Sequence, residues 1–146
     1  MAAQTERQHL TYTPRQLFDL VVDVERYPEF LPWVIEARIR YRTDSTMLVD
    51  MTIGSGPLQK QFSTAAALHR PHRIDISSCD PLFDRFEQRW IFEPAINGGT
   101  NVEYHVDFKF RSRLLQILMV KSFARRAIAT MSALERRAHR LYGGHS

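Results

Sequence analysis

The chain has 146 residues, of which 44% are hydrophobic and 25% are charged, and these values are typical of a soluble globular protein of about one domain. No apolar run reaches the ~18 residues that a membrane span needs, and a single cysteine excludes an internal disulfide. The net charge of +4 permits contact with phosphate-bearing surfaces, either membrane or nucleic acid, but does not require it.

The first predicted elements are a strand at residues 5–12 and a short helix. Thr13 is typical of a helix N-cap, Pro14 of the first helical position, and Gln16 completes a capping box. An irregular segment with two prolines and several large rings follows at residues 24–34, VERYPEFLPWV. Because large rings usually lie in a core and prolines in irregular backbone, this segment is expected to close the end of the core, to contact another protein, or to form the entrance of a cavity.

From Val34 to Arg111 the apolar residues recur with a period of two, most regularly at residues 101–111. Such alternation predicts strands of a sheet with one buried face and one wetted face. Short turns between the strands predict hairpins and therefore an antiparallel sheet. These turns are Thr43-Asp44-Ser45, Gly54-Ser55-Gly56-Pro57, Arg70-Pro71-His72 and Asn97-Gly98-Gly99.

The period returns to three or four residues after Ser112, a typical N-cap, and continues to Gly143 and Gly144, which are typical of a helix end. The apolar positions of this predicted helix are Ile117, Val120, Ala124, Ala127, Met131, Leu134, Ala138 and Leu141. The pattern predicts an α+β fold, in which a curved antiparallel sheet of six to seven strands wraps around one C-terminal helix of about 30 residues. Residues 1–146 are expected to form a single domain. Since a twisted sheet and a straight helix do not touch everywhere, an apolar gap is expected between them.

No catalytic or metal-binding motif is evident, because the sequence lacks a phosphate-binding glycine loop and its six histidines form no ligand pair at helical or strand spacing. We therefore expect no enzyme activity, no metal and no cofactor. The candidate acids and bases fall on the wetted registers of the strands: Asp50, Glu87, Glu103, His105 and Asp107. A few polar groups fall on the apolar registers and are suited to orienting a ligand: Tyr41, Thr64, Gln88 and Tyr104.

Basic residues concentrate on the predicted C-terminal helix, where Glu135 is the only compensating acid. These residues are Lys121, Arg125, Arg126, Arg136, Arg137 and Arg140. They form either an ordinary solvated face or a surface that docks on anionic lipid or RNA, and each basic residue near such a membrane contributes about 1 kcal/mol. RNA-binding proteins usually display exposed aromatic rings. Here nearly all rings fall on buried registers, which favours lipid.

Three long stretches resemble the coenzyme Q-binding START-domain family, within the polyketide cyclase/START-like superfamily. They are FDLVVDVERYPEFLPWV at residues 18–34, DPLFDRFEQRWIFEP at 80–94 and GTNVEYHVDFKFRSRLLQIL at 99–118, and MSALERRAHRLYG at 131–143 fits as well. The resemblance implies a helix-grip fold. It also implies non-enzymatic binding of ubiquinone or a similar polyprenyl lipid in a hydrophobic tunnel, in support of respiratory electron transfer and quinone biosynthesis.

The resemblance to this superfamily also implies two alternative functions. A bacterial branch is a toxin that associates with ribosomal subunits. In that branch Leu-Pro is followed by Gly-Cys, whereas Leu31-Pro32 is followed here by Trp33-Val34, as in the quinone-binding branch. The other alternative is a polyketide aromatase or cyclase, which needs a buried acid or base. One departure from the family is Asp80-Pro81-Leu82-Phe83, where Gly-Pro-Phe is more common, and no role is assigned to that loop.

The predicted ligand-binding residues are Phe30, Leu31, Trp33, Met51, Ile53, Phe62, Trp90, Phe92, Val106, Phe108, Val120, Ala124 and Met131, with Tyr27 joining the first three at an apolar rim. The six basic helix residues are the predicted membrane contacts. The expected partners are ubiquinone or another hydrophobic ligand and an anionic membrane surface, with the ribosome as the alternative. The expected location is the cytoplasm, at the periphery of the inner membrane.

Overall fold

A computed structural model of the chain describes residues 2–54, 57 and 59–143. The predicted turn residues Ser55 and Gly56 and the predicted helix-ending residue Gly144 lie outside this range. The elements are β1 (Ala2–Leu10), α1 (Pro14–Val22), a 3-10 helix (Val24–Glu29), β2 (Val34–Arg42), β3 (Thr46–Ile53), β4 (Lys60–His69), β5 (Arg73–Ser77), β6 (Phe83–Pro94), β7 (Thr100–Phe110) and α2 (Arg113–Tyr142).

The seven strands form one antiparallel sheet in the order β1-β7-β6-β5-β4-β3-β2. Strands β2 to β7 follow one another as neighbours, and β1 pairs with β7, so that Ala2 lies opposite Phe108 and Leu10 lies opposite Thr100. The predicted α+β class, the antiparallel sheet of six to seven strands and the long C-terminal helix are confirmed.

Local side-chain contacts begin both helices where the sequence predicts. The Gln16 amide donates to Thr13 Oγ1 at 3.1 Å, and Gln16 Oε1 accepts from the Thr13 amide at 2.9 Å, which completes the capping box. At the start of α2, Ser112 Oγ accepts from the Leu115 amide at 3.2 Å. These caps satisfy backbone donors that a helix start otherwise leaves without a partner.

The turn between β6 and β7 fits closely against the end of β1. Gly99 has a φ of +73°, and a Cβ at this position would lie 2.3 Å from the backbone oxygen of Leu10. Only glycine accepts both this conformation and this contact. The turn therefore helps to set β1 at the edge of the sheet.

The most completely buried side chains of the core lie between α1, the sheet and the second half of α2. Leu17, Phe18 and Phe92 are fully buried, and the rings of Phe18 and Phe92 meet edge to face at 6.2 Å. The α2 helix packs mainly against β1, β7 and α1. Burying each large apolar side chain here contributes about 1.5–3 kcal/mol.

The predicted inward face of α2 is right from Ala127 to Ala138 and wrong before and after this stretch. Ala127, Met131, Leu134 and Ala138 are buried. Four other members of the predicted stripe are exposed: Ile117, Val120, Ala124 and Leu141. The first half of the helix carries apolar residues on all sides, so its period does not select a face. The residues that turn partly inward there are Leu115, Met119 and Phe123.

Strand β2 also departs from simple alternation. Its pairing with β3 shifts register between Val34 and Glu36 and again between Ile39 and Tyr41. Such irregularities turn successive side chains away from their expected faces. As a result Ile35 and Tyr41 are exposed, by 40% and 55%.

No helix in the described part of the chain combines the length and apolar character that crossing a membrane would require.

Candidate ligand cavity

A cavity of about 180 Å³ lies between the concave face of the sheet and α2. The 3-10 helix and the start of β2 contribute to its wall, and so does the middle of α2, from Met119 to Leu134. Apolar side chains provide most of its surface.

Nine of the thirteen predicted ligand-binding residues line this cavity. They are Phe30, Leu31, Trp33, Met51, Ile53, Phe62, Trp90, Val106 and Phe108. Tyr27, the predicted fourth member of the rim, lines it as well. The sheet positions come together because alternate residues of a strand share a face, so one buried register supplies one wall.

The other four predicted ligand-binding residues lie elsewhere. Phe92 packs against Phe18 in the fully buried core. Met131 is 3% exposed and is also part of the core rather than of the cavity wall. Val120 and Ala124 face solvent, because the first half of α2 is rotated relative to the predicted stripe.

The predicted site omits four of the six rings that form an aromatic wall of the cavity. This wall is formed by Phe83, Phe86, Phe110 and Phe123 together with the predicted Phe62 and Phe108. Their ring centroids lie close together, at 5.0 Å for Phe62 and Phe83 and 4.7 Å for Phe108 and Phe123. Strand alternation places Phe86 and Phe110 on the buried registers, whereas finding Phe123 needs the true rotation of α2.

The loop that departs from the family pattern positions one of these rings. Asp80 Oδ1 accepts from the Leu82 amide at 2.9 Å, and its Oδ2 accepts from the Ser63 amide on β4 at 3.2 Å. The Phe83 amide also donates to the Asp80 backbone oxygen at 3.1 Å. The Asp80 carboxylate thus ties the loop to the sheet and sets Phe83 at the cavity wall.

A small polar group interrupts the apolar lining. Gln88 Nε2 donates to the Tyr104 hydroxyl at 3.0 Å, and Thr130 Oγ1 donates to the Arg126 backbone oxygen at 2.8 Å. Burial raises the pKa of the Tyr104 phenol, so it stays protonated at neutral pH. Thr64, which was predicted to face the gap, also lines the cavity, whereas Tyr41 does not because of the shift in β2.

The proline-containing segment is fixed to the body of the protein by Tyr27, within the 3-10 helix, and by Glu29, at its end. The Tyr27 hydroxyl donates to the Val21 backbone oxygen, and burial raises the pKa of this phenol. On the other side, Arg137 Nη2 donates to Glu29 Oε1 at 3.0 Å, and its guanidinium lies 5.2 Å from the centre of the Phe30 ring. The segment is therefore a docked wall of the cavity.

Two of the six predicted membrane contacts point inward. Arg137 is 7% exposed because it binds Glu29 and Phe30, and Arg126 lines the cavity. Burial, and then the charge of neighbouring Arg125, lowers the pKa of Arg126. The remaining four are exposed: Lys121, Arg125, Arg136 and Arg140.

The candidate acids and bases lie on the outer side of the sheet. Asp50 pairs with Arg40 at 2.9 Å, Glu103 with Arg7 at 2.9 Å and Asp107 with Arg85 at 3.1 Å; Glu87 is exposed and His105 contacts Thr5 at 2.7 Å. Within the described ranges, no carboxylate or histidine lines the cavity. The same residues contain no group of three histidine, cysteine or acidic side chains that could hold a metal ion.

Residues 10–135 match the family described as polyketide cyclase / dehydrase and lipid transport. The chain belongs to this family. One relative is the ribosome association toxin RatA of Pseudomonas aeruginosa, which is 30% identical over 134 residues, or 92% of this chain and 93% of that protein. Another is the coenzyme Q-binding protein COQ10 homolog B, mitochondrial, of Xenopus laevis, at 25% identity over 95% of this chain and 59% of that protein.

The fold is shared with a START superfamily protein from Mycobacterium smegmatis, with a TM-score of 0.79 over 95% of this chain and 98% of that one, at 18% identity. This likeness concerns the fold alone. The family match and the relatives confirm the family and superfamily that the sequence resembles, and these relatives include both a coenzyme Q-binding protein and a ribosome association toxin.

Proposed function

We propose that the protein binds ubiquinone or a similar polyprenyl lipid in the cavity between the sheet and α2, as a carrier and not as a catalyst. The observation that supports this most directly is the apolar, aromatic-rich lining without a carboxylate or histidine among its described residues. Membership of a family that includes lipid transport and a relative named coenzyme Q-binding point to the same ligand class.

The size of the cavity limits how much of such a lipid it encloses. A cavity of about 150 Å³ holds a benzene-sized molecule, and this one measures about 180 Å³. It therefore suits one ring or a short part of a tail, and the rest of the lipid leaves between the half-buried rings of Phe30 and Trp33 on one side and Met119 on the other. Each enclosed five-carbon unit contributes roughly 3–4 kcal/mol, at ~0.8 kcal/mol per CH₂.

A carrier of this kind has to collect its lipid from a membrane, and the exposed side of α2 is suited to that contact. Six of the nine large apolar side chains exposed in the described chain lie on α2. We define the outer stripe as Leu114, Ile117, Leu118 and Ile128, which are 67%, 60%, 47% and 51% exposed. Ile117 and Leu118 lie three and four residues after Leu114, and Ile128 lies ten residues after Leu118, so at 3.6 residues per turn all four side chains fall on one face of the helix.

Positive charge accompanies the outer stripe. Lys121 and Arg125 are exposed on the same face, and α2 contains no acidic residue before Glu135. A helix that combines apolar and basic side chains binds anionic lipid surfaces by both burial and charge. We place the membrane contact on the outer stripe with these two cations, whereas Arg126 and Arg137 are turned away from it.

Lipid extraction tests the proposal. The purified, folded protein is expected to release a prenyl lipid into organic solvent, detectable by mass spectrometry. Trp33→Ala is expected to lower the lipid recovered per folded molecule at least threefold, whereas Ile35→Ala, two residues away and exposed, leaves it unchanged. Recovery of no prenyl lipid from folded wild type would contradict the proposed function. If the Trp33→Ala variant releases as much prenyl lipid per folded molecule as wild type, only the proposed role of the rim is contradicted.

Association with ribosomal subunits is the second candidate, because RatA proteins match 92% of this chain at up to 30% identity. The test is co-sedimentation with ribosomal subunits at moderate salt. Charge reversal at the exposed Arg125 and Arg136 is expected to abolish it if the contact is electrostatic. Co-sedimentation without recoverable lipid would favour this function over lipid binding.

A further inference from the structure

The inference drawn here rests on the proposed lipid-binding function and concerns the polar head of the ligand. Arg126 is the one charged side chain among the described residues that line the cavity. It projects from the middle of α2 and is half-buried. No carboxylate in residues 2–54, 57 or 59–143 forms an ion pair with its guanidinium.

Its neighbours make this part of the cavity polar. Thr130 follows Arg126 by one helical turn and lines the cavity, and its Oγ1 donates to the Arg126 backbone oxygen at 2.8 Å. The Tyr104 hydroxyl accepts from Gln88 Nε2 on the facing strand β6. A neutral polar patch and one cation thus lie together, and the remaining walls are almost entirely apolar.

A partly desolvated cation without a counter-charge costs free energy, and this cost is removed when an anion binds. Burial, followed by repulsion from Arg125, acts against the charge of Arg126 and lowers its pKa. A guanidinium nevertheless remains charged at neutral pH and offers paired N–H donors that fit both oxygens of a carboxylate. The oxygens of a quinone are neutral acceptors. A guanidinium forms stronger hydrogen bonds with a charged carboxylate than with such neutral oxygens.

We propose that Arg126 binds the carboxylate of an amphiphilic lipid, whose apolar tail lies along the aromatic wall. Within the proposed class of prenyl lipids, Arg126 then favours members that carry a carboxylate over the neutral quinone, and Thr130, Gln88 and Tyr104 hold the polar groups that flank this carboxylate. Arg126 selects among lipids by the charge of their heads, while the apolar walls accept tails of different structure.

The test compares three probes with the same ten-carbon chain: decanoate, decanol and decylubiquinone. Affinities are measured at neutral pH, by calorimetry or by displacement of a fluorescent probe. Wild type is expected to bind decanoate about ten- to a hundredfold more tightly than decanol, which is the range for a hydrogen-bonded charge. Arg126→Met is expected to lose this margin while its affinity for decanol stays within about threefold of wild type.

Arg113→Met is the matched control, because it removes the same charge from an exposed position on the same helix, outside the cavity and outside the proposed membrane contact. It is expected to leave both affinities unchanged. Arg126→Lys keeps the charge without the paired donors and is expected to retain part of the preference. If Arg126→Met fails to fold, as judged by thermal unfolding, Arg126→Gln replaces it in the same comparison.

Three results would overturn the assignment of Arg126. The first is equal binding of decanoate and decanol by wild type, and the second is equal weakening of decanoate binding by Arg113→Met and Arg126→Met. The third is tighter binding of decylubiquinone than of decanoate, which leaves the proposed lipid-binding function intact. Binding of none of the probes to folded wild type would overturn both proposals.

Discussion

The two halves of α2 have the same backbone but opposite roles. In the second half, Ala127–Tyr142, six side chains are buried, whereas in the first half, Arg113–Arg126, none is. The first half instead places Met119, Phe123 and Arg126 along the cavity and leaves Leu114, Ile117 and Leu118 of the outer stripe in solvent. One continuous helix can therefore stabilise the fold at one end and serve ligand and membrane contact at the other.

The partners of each half explain the difference. The second half packs into the core beside α1, and Arg137 ties it to Glu29. The first half is held by its cap at Ser112, by Gln116 Oε1, which accepts from the Phe110 amide at 2.8 Å, and by ring contacts such as Phe123 with Phe108. Beyond those contacts lies the cavity, so burial contributes less to stability there.

The comparison predicts its largest effect at Met131, which is 3% exposed and does not line the cavity. Met131→Ala is expected to lower the free energy of unfolding by about 2–5 kcal/mol, because it leaves a void in the packed half. Leu118→Ala in the first half is expected to change it by less than about 0.5 kcal/mol. Urea unfolding followed by circular dichroism measures both values. Similar losses at the two positions would show that the halves do not differ in stability.

A smaller loss is expected at the contact between α2 and the proline-containing segment. Arg137→Met removes a hydrogen bond to Glu29 and the contact over Phe30, at an expected cost of about 1–2 kcal/mol. Glu29→Gln keeps the ring contact and is expected to cost less, because the Glu29 side chain is 49% exposed. The double-mutant cycle, measured by denaturant unfolding, isolates the ion pair. Additive losses would mean that the two side chains do not interact.

No loss of stability is expected on the outer stripe, where the change should appear in membrane binding. Replacing Leu114, Ile117 and Leu118 together by Ser is expected to lower affinity for anionic vesicles at least tenfold, because their apolar burial in the bilayer is lost. Co-sedimentation with vesicles of mixed phosphatidylcholine and phosphatidylglycerol measures this effect. If the triple variant binds vesicles as tightly as wild type, the outer stripe does not contribute to membrane binding, and the proposed difference in function between the two halves of α2 is wrong.

A second variant distinguishes the contribution of charge to vesicle binding from the contribution of apolar burial. Lys121→Gln with Arg125→Gln is expected to weaken binding to anionic vesicles by about 1 kcal/mol per residue and to leave binding to neutral vesicles unchanged. Equal weakening on both kinds of vesicle would show that these two side chains act through packing and not through charge.

The amino-acid sequence by itself determined the sheet, the helix caps, the family and most of the sheet side of the cavity. Alternation is strict in β7, so Val106 and Phe108 fall on one face whatever lies against it. The caps at Thr13 and Ser112 depend on residues three positions away. Alternation and helix caps depend on residues that are close together in the sequence, so the sequence alone is enough to predict the local structure that they form.

Only the tertiary structure decided which side of α2 faces the cavity and where two of its arginines lie. The first half of the helix is apolar on every side, so no period within it marks the inward face. Arg137 is buried because of Glu29, 108 residues earlier in the chain, and Arg126 reaches the cavity because of how the helix is rotated against the sheet. The rotation of a helix depends on packing with distant strands, and the residues of the helix alone do not specify it.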